Sequence, residues 1–164
     1  KNNSIKKKEM ILKKKAKNID ELFTGVATNN QKKINLSEKN RIKFPVEGNI
    51  ISKFGERKEA FPLKNGLMIE ITDAKYVISP INGIVKFAGK FMNYGNLIII
   101  ENKGSYHSIL SGMDEIITDS GNKVLKGQPI GKNYFKKLFE KKKIYFELRY
   151  KGKSIDPKRE VEIL

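Results

Sequence analysis

The chain has 164 residues, a formal net charge of +16, no cysteine, no tryptophan and a single histidine. This length corresponds to one ordinary domain with an extension, and 38% apolar residues can form a sizeable core. The lack of cysteine excludes disulfides, cysteine-ligated zinc and thiol nucleophiles. A single histidine also excludes any site that needs two or more imidazoles, and no apolar run is long enough to span a membrane.

The positive charge is carried almost entirely by lysine. Only four of the 34 basic residues are arginine: Arg41, Arg57, Arg149 and Arg159. Arginine makes the bidentate contacts to phosphate and guanine that nucleic-acid recognition uses most. We therefore predict no nucleic-acid partner and interpret the lysine excess as a solvated surface with a general attraction to anions.

Residues 1–43 have the pattern of a basic N-terminal helical segment followed by a linker at 29–33. One helical face is formed by four apolar residues at i, i+3, i+4 and i+7: Ile19, Leu22, Phe23 and Val26. Asn18 is placed to cap this helix, with Glu21 three residues later. Ile5, Leu12 and Ile19 are spaced by seven, which suits the end of a coiled-coil arm, although three positions do not establish one.

From Phe44 to the end of the chain the apolar period changes to two. Eight candidate strands alternate with turn signals, at residues 48–55, 67–71, 76–79, 83–88, 96–101, 106–110, 123–125 and 144–150. Residues 134–143 are basic and amphipathic and are interpreted as a loop or short helix between strands. The pattern predicts a mainly β, antiparallel domain over residues 44–164.

Residues able to catalyse acid–base chemistry are scattered in this domain. Its aspartates and glutamates form no recognisable pair, and turn or strand-surface positions explain them better. His107 has no histidine partner, so it is interpreted as a surface or half-buried strand residue rather than a catalyst.

Two glycine-containing segments carry a more specific signal. Residues 79–87 read SPINGIVKF and residues 119–131 read DSGNKVLKGQPIG. Their glycines permit tight turns, while valine and isoleucine fill a narrow core between sheets. This combination is similar to two groups, the biotinyl/lipoyl carrier domains and the M23 (LytM-type) zinc endopeptidases that cut peptidoglycan cross-links.

Four further segments favour the M23 family. They are residues 44–55 (FPVEGNIISKFG), 64–69 (KNGLMI), 93–100 (NYGNLIII) and 144–157 (IYFELRYKGKSIDP). In unbroken order they resemble the entry strand, the first zinc motif, the Tyr-Gly strand and the closing strand of that family. The resemblance implies a LytM/M23-like antiparallel β-sandwich.

The resemblance fails at the positions where that family carries out its chemistry. Lys64, Met68 and Tyr145 stand at the places of the family's zinc ligands, and Gly112 and Lys143 stand at those of its assisting histidines. A catalytic zinc needs three nitrogen or oxygen ligands and a water, which these residues do not supply. The resemblance therefore implies a degenerate domain without metal, cofactor or catalytic residues.

Residues 64–69 and 144–149 are similar to one divergent branch, the EnvC-like murein hydrolase activators, in which a coiled coil precedes an inactive LytM domain. In that branch the vacant groove binds and allosterically activates an N-acetylmuramyl-L-alanine amidase of the cell wall. The resemblance implies the same partner here, a periplasmic or extracytoplasmic location, and a role in cell-wall remodelling and cell division. Carried over by motif, the groove positions are Asn65, Met68, Tyr94, Leu110, Tyr145 and Arg149.

The same branch implies further interactions. Peptidoglycan and, through a preceding coiled coil, a membrane division complex are additional candidate partners. A segment before the domain can block the groove in this branch until it is released, and residues 18–35 are the candidate for that segment here.

Two alternative interpretations stay open at the level of sequence. Met68 and Leu110 could be core residues, with Arg149 paired to Glu147 or Glu101. The domain could also be a non-enzymatic module that binds peptidoglycan or another anionic polymer through its lysine-rich surface.

Overall fold

A computed structural model describes residues 2–26, 41–56 and 64–161. Two helices, α1 (Asn2–Lys15) and α2 (Ile19–Val26), precede the strands. The strands are β1 (Asn49–Ser52), β2 (Leu67–Ile71), β3 (Tyr76–Ile78), β4 (Gly83–Lys90), β5 (Asn96–Asn102), β6 (Tyr106–Met113), β7 (Glu115–Ile116), β8 (Lys123–Val124), β9 (Pro129–Lys132), β10 (Lys142–Tyr150) and β11 (Lys153–Ile155). Neither α1 nor α2 is long and apolar enough to cross a membrane.

The strands form two antiparallel sheets. The main sheet has the order β1-β2-β10-β6-β5-β4-β8, with β11 paired to β10, and the smaller sheet has the order β3-β9-β7. The larger core cluster joins residues of both sheets, among them Val77 and Ile130 of the smaller sheet and Phe146 of the main sheet. The prediction of a mainly antiparallel β fold behind N-terminal helices is confirmed.

Strand β10 shows that the main sheet is buried on both faces. Ile144, Phe146 and Leu148 belong to the core between the sheets, whereas Tyr145 belongs to a second apolar cluster. Because successive side chains of a strand point to opposite faces, Glu147 and Arg149 share the face of Tyr145. All six residues from Ile144 to Arg149 are buried, which requires a cover on this outer face as well.

Helix α2 is that cover. Ile19, Leu22 and Phe23 are buried in the second cluster, against apolar residues of the main sheet and of the segment after β4: Phe87, Phe91, Leu97, Ile99, Ile109 and Tyr145. The predicted cap is confirmed, since the amide of Glu21 donates to Asn18 Oδ1 at 2.8 Å. In return, Glu21 Oε2 accepts from the amide of Lys17 at 2.8 Å, which satisfies a second amide at the start of the helix.

Helix α1 lies beside the β4 edge. The carboxylate of Glu9 accepts from the Ala88 amide and from the Ser120 hydroxyl, both at 2.7 Å. The helix ends at Lys15, and Ile19 then faces the sheet. The chain bends at residues 17–18, between α1 and α2. The coiled-coil arm indicated by the spacing of Ile5, Leu12 and Ile19 stays a prediction.

Other predicted features differ in detail from the structure. Residues 133–141 form a loop, and β10 begins at Lys142, two residues before the start of the predicted strand at 144. Ile42 is already a buried core residue, paired in a parallel bridge with Val161, so the packed β region reaches two residues before Phe44. The predicted linker at 29–33 lies outside the described residues.

Gly112 allows β6 and β10 to approach closely. It has a φ of +104°, and a Cβ at this position would lie 2.4 Å from the carbonyl oxygen of Lys143. Gly152 also has a positive φ, +80°, but a Cβ there would meet no atom within 4 Å.

We expect Gly152→Ala to lower the free energy of unfolding by about 1 kcal/mol, and Gly112→Ala by roughly 2 kcal/mol more, in urea denaturation. Equal losses would contradict the close contact between these strands.

Candidate functional site

A cavity of about 450 Å³ opens on the outer face of the main sheet, next to the chain segment that enters α2. We call it the groove. It is lined by Lys17, Met68, Met92, Asn93, Tyr94, Ser111, Gly112, Lys143 and Tyr145. These residues come from parts of the chain that are far apart in sequence.

Strand register explains how the groove forms. Tyr145 of β10 lies directly opposite Met68 of β2 on one side and Ser111 of β6 on the other. Residues opposite each other in neighbouring strands share a face, so these three side chains form the base of the groove. Tyr94 forms one side of it and stacks on Phe91, with ring centroids 5.7 Å apart and an interplanar angle of 8°.

Four of the five positions predicted to have lost zinc ligands or catalytic histidines line this groove: Met68, Gly112, Lys143 and Tyr145. The fifth, Lys64, is exposed just before β2, where its carbonyl accepts from the Gly55 amide. Asn65 is half-buried in the same turn and is not among the lining residues.

Leu110 does not belong to the groove, and its prediction as a groove residue is wrong. It is fully buried in the core between the sheets. The physical reason is the alternation of β6, in which Ile109 and Ser111 face outward and Leu110 faces inward. For Leu110, the alternative interpretation as a core residue is therefore the correct one.

Sequence reasoning missed Met92 and Asn93. They belong to the 3-10 turn Met92–Tyr94 between β4 and β5, where Met92 has a φ of +48° and is largely exposed. An exposed methionine with a left-handed backbone is uncommon in a turn. Periodicity gives no signal for such a residue, because it belongs to no strand.

Beyond the groove, α2 covers a buried cluster of polar groups. Arg149 forms ion pairs with Glu147 beside it and with Asp20 of α2, and its guanidinium carbon lies 4.3 Å from the centroid of the Phe23 ring. The hydroxyl of Tyr145 donates to Glu147 Oε1 at 2.6 Å. The alternative pairing of Arg149 with Glu147 is thus observed, while Asp20 was not predicted.

Burial sets the ionisation of this cluster. It raises the pKa of Tyr145, and the neighbouring Glu147 carboxylate raises it further, so the phenol stays protonated and donates its hydrogen. Burial also raises the pKa of Glu147, and the Arg149 guanidinium offsets part of that rise. This cluster tolerates burial because its groups are hydrogen-bonded and charge-paired. Glu147 or Arg149 alone would be a buried charge without compensation.

His107 was predicted to be a surface or half-buried residue, but it is buried under α2. It is 1% exposed, and the Phe23 ring meets it edge-on with centroids 5.0 Å apart. Neither ring nitrogen has a hydrogen-bond partner among the described residues. Burial lowers the pKa of His107; Glu101, 3.9 Å from its Nε2, opposes this shift, and Arg149 and Lys86 add to it.

The side chains that line the groove do not fit a catalytic zinc. They include two lysines, two methionines, two tyrosines, an asparagine and a serine, but no imidazole, carboxylate or thiolate. Tyr145 is already engaged as a donor to Glu147. Within residues 2–26, 41–56 and 64–161, no group of three or more histidines, aspartates or glutamates could hold a metal ion.

The fold and the groove define a LytM-type β domain. Residues 62–157 match Peptidase family M23, and the chain belongs to this family. Murein hydrolase activator NlpD of Escherichia coli strain K12 is 31% identical over 118 residues, which are 71% of this chain and 30% of NlpD. Murein hydrolase activator EnvC of the same strain is 24% identical over 114 residues, 70% of this chain and 27% of EnvC.

A solved structure, a putative peptidase M23 from Pseudomonas aeruginosa, has the same fold. Its TM-score is 0.62 at 18% identity, over 84% of this chain and 57% of that one. The predicted resemblance to the degenerate M23 domains of murein hydrolase activators is confirmed. The chain spans about 30% of the length of NlpD.

The apolar face of α2 should hold it on the sheet. Leu22→Ala and Phe23→Ala each remove a buried side chain, so we expect α2 to undock more often and trypsin to cleave after Lys17 roughly 30-fold faster. The matched control is Thr24→Ala on the exposed face, which should leave the cleavage rate close to that of the unchanged chain. Equal rates in all three variants would show that α2 is not held by these contacts.

His107 should make stability depend on pH. Since its pKa in the folded chain lies below that of the unfolded chain, the unfolded state binds the proton first as the pH falls below about 6.5. The free energy of unfolding should therefore decrease from about pH 7.5 to about pH 5. Urea titrations of the unchanged chain and His107→Gln test this; the difference between the two should shrink on acidification, and a constant difference would contradict it.

Proposed function

We propose that this domain is non-catalytic and that its groove binds and activates a cell-wall amidase of the N-acetylmuramyl-L-alanine type, outside the cytoplasm. The observation that carries the proposal is the groove itself. Its lining includes four of the five positions to which the family resemblance assigns zinc ligands or assisting histidines, yet it offers thioethers, phenols and amines in place of zinc ligands. The relatives named murein hydrolase activators support the same function.

The chemistry of the groove suits a protein partner. Met68 and Met92 provide flexible, polarizable surface that adapts to an incoming side chain. Tyr94 and Tyr145 add rigid aromatic surface, which is enriched at the energetic centres of interfaces. The groove is open at the Lys17 end of α2, so a partner can contact Met68 and Tyr94 while α2 is still in place.

Helix α2 restrains the rest of this face. Of the predicted blocking segment 18–35, residues 18–26 are described, and they cover Arg149 and one side of Tyr145. The Asp20 side chain is 65% exposed, so its ion pair with Arg149 is partly solvated and contributes little. Docking of α2 therefore depends on Leu22 and Phe23, and a partner that offers comparable apolar surface and a carboxylate can replace the helix.

Release of dye-labelled fragments from purified sacculi by a cognate amidase tests the proposal. We expect the chain to raise the rate, Met68→Glu to abolish the stimulation, and removal of residues 1–26 to increase it. Met10→Glu is the matched control, because Met10 is an exposed methionine on α1, away from the groove. It should stimulate like the unchanged chain.

Two results would contradict the proposal. The first is full stimulation by Met68→Glu with an unchanged fold. The second is fragment release by this chain alone, which would indicate an enzyme. The alternative module that binds an anionic polymer predicts salt-sensitive binding to sacculi that Met68→Glu leaves intact, together with no effect on the amidase.

A further inference from the structure

The loop between β9 and β10 presents the two most exposed large apolar side chains of the described residues. Leu138 is 86% exposed and Phe139 is 80% exposed. They are adjacent in the turn of the loop 133–141, whose Phe135 packs against the core between the sheets. Single exposed apolar residues are common on protein surfaces, but two neighbouring side chains with this exposure at one tip are not.

Hydrogen bonds fix the backbone of the turn that carries these side chains. Glu140 Oε2 accepts from the amides of Lys136, at 2.6 Å, and Lys137, at 3.4 Å, and the Glu140 amide donates to the Lys137 carbonyl at 3.2 Å. Leu138 and Phe139 are the two central residues of this turn. The base of the loop is fixed by the Tyr134 amide, which donates to Asp114 Oδ2 at 2.7 Å.

Phe139 occupies a backbone conformation that suits glycine. Its φ is +63°, a region that costs a bulky side chain on the order of 1–2 kcal/mol. A turn that served only to connect β9 with β10 would be more stable with glycine here. The presence of an exposed phenylalanine in a strained position indicates that the side chain has a use outside the fold.

The loop itself is rich in lysine, and two tyrosines lie near its base. Lys136, Lys137 and Lys141 belong to the loop itself. At its base, Lys132 lies 5.2 Å from the centroid of the Tyr134 ring, and just before the neighbouring strand β3 Lys75 lies 5.9 Å from that of Tyr76. The nearby carboxylates Asp114, Glu115 and Glu140 are engaged by Lys142, the Tyr134 hydroxyl and the loop amides. Lys141 pairs with Glu70 at 3.3 Å but its side chain is 65% exposed, so Lys136 and Lys137 are the loop lysines nearest the tip without such a pair among the described contacts.

We propose that this loop is a membrane-docking wedge that inserts Leu138 and Phe139 among the acyl chains of an anionic phospholipid bilayer, with its lysines on the headgroup phosphates. An apolar tip bordered by tyrosine and lysine matches the polarity profile of a bilayer interface. Each lysine close to an anionic leaflet adds to the attraction, in keeping with the +16 charge of the chain.

An anionic polymer explains these observations less well. Glycan strands and polyphosphate chains would attract the lysines, but they offer no apolar phase to Leu138 and Phe139. The proposal does not depend on the groove, and it would keep this domain at a membrane surface whatever the groove binds.

Two experiments on the full chain test the wedge. In co-sedimentation, the chain should bind vesicles of phosphatidylcholine with phosphatidylglycerol and not vesicles of phosphatidylcholine alone. The double variant Leu138→Ser/Phe139→Ser should bind the anionic vesicles at least tenfold more weakly. Leu125→Ser is the matched control, because Leu125 is an exposed leucine of a different loop, and it should bind like the unchanged chain.

Insertion itself can be read from fluorescence, because the chain contains no tryptophan. The Phe139→Trp variant should shift its emission to shorter wavelength on addition of anionic vesicles, and the Leu125→Trp variant should not. The proposal is overturned if the chain does not bind anionic vesicles or if the double serine variant binds as well as the unchanged chain. It is also overturned if the indole emission of the Phe139→Trp variant stays that of water while the vesicles are bound, since the loop would then be only an electrostatic surface for lipid or polymer.

Discussion

The burial of the outer face of the main sheet by α2 is the interaction on which the site depends. Leu22 and Phe23 exclude water from a face that also carries His107, Glu147 and Arg149. Without the helix these polar groups would be solvated, and their present pairing would lose most of its electrostatic strength. The apolar face of α2 therefore covers ionisable groups as well as apolar ones, which is unusual for a helix that serves only to complete a core.

Tyr145 links the covered part of this face to the open groove. Its ring forms part of the groove, and its hydroxyl donates to Glu147, which pairs with Arg149, which in turn pairs with Asp20 of α2. A partner that displaces Tyr145 thus acts on the same hydrogen-bonded chain that meets the helix. Tyr145 also belongs to the same apolar cluster as Leu22 and Phe23, which hold the helix. Displacement of Tyr145 is therefore a physical route by which occupation of the groove and release of α2 can be coupled.

Most of the fold and much of the groove could be predicted from the sequence, because both depend on local signals. The apolar period of α2 and its Asn18 cap match the structure, and the motif positions Met68, Gly112 and Tyr145 line the groove. The motif alone puts Leu110 in the groove, whereas the alternation of β6 points its side chain into the core between the sheets. The pairing of Asp20 with Arg149 and the burial of His107 could not be predicted from the sequence. Both depend on contacts between α2 and strands that lie about half a chain or more away in sequence.

The central claim is that α2 is a removable cover over a partner-binding face. Amide hydrogen exchange of α2 in the full chain, measured with and without the cognate amidase, tests it most directly. Amides of α2 should lose protection when the amidase is bound, while those of β10, which remain in the sheet, should keep theirs. Unchanged protection of α2 in a chain that binds and activates the amidase would contradict the claim.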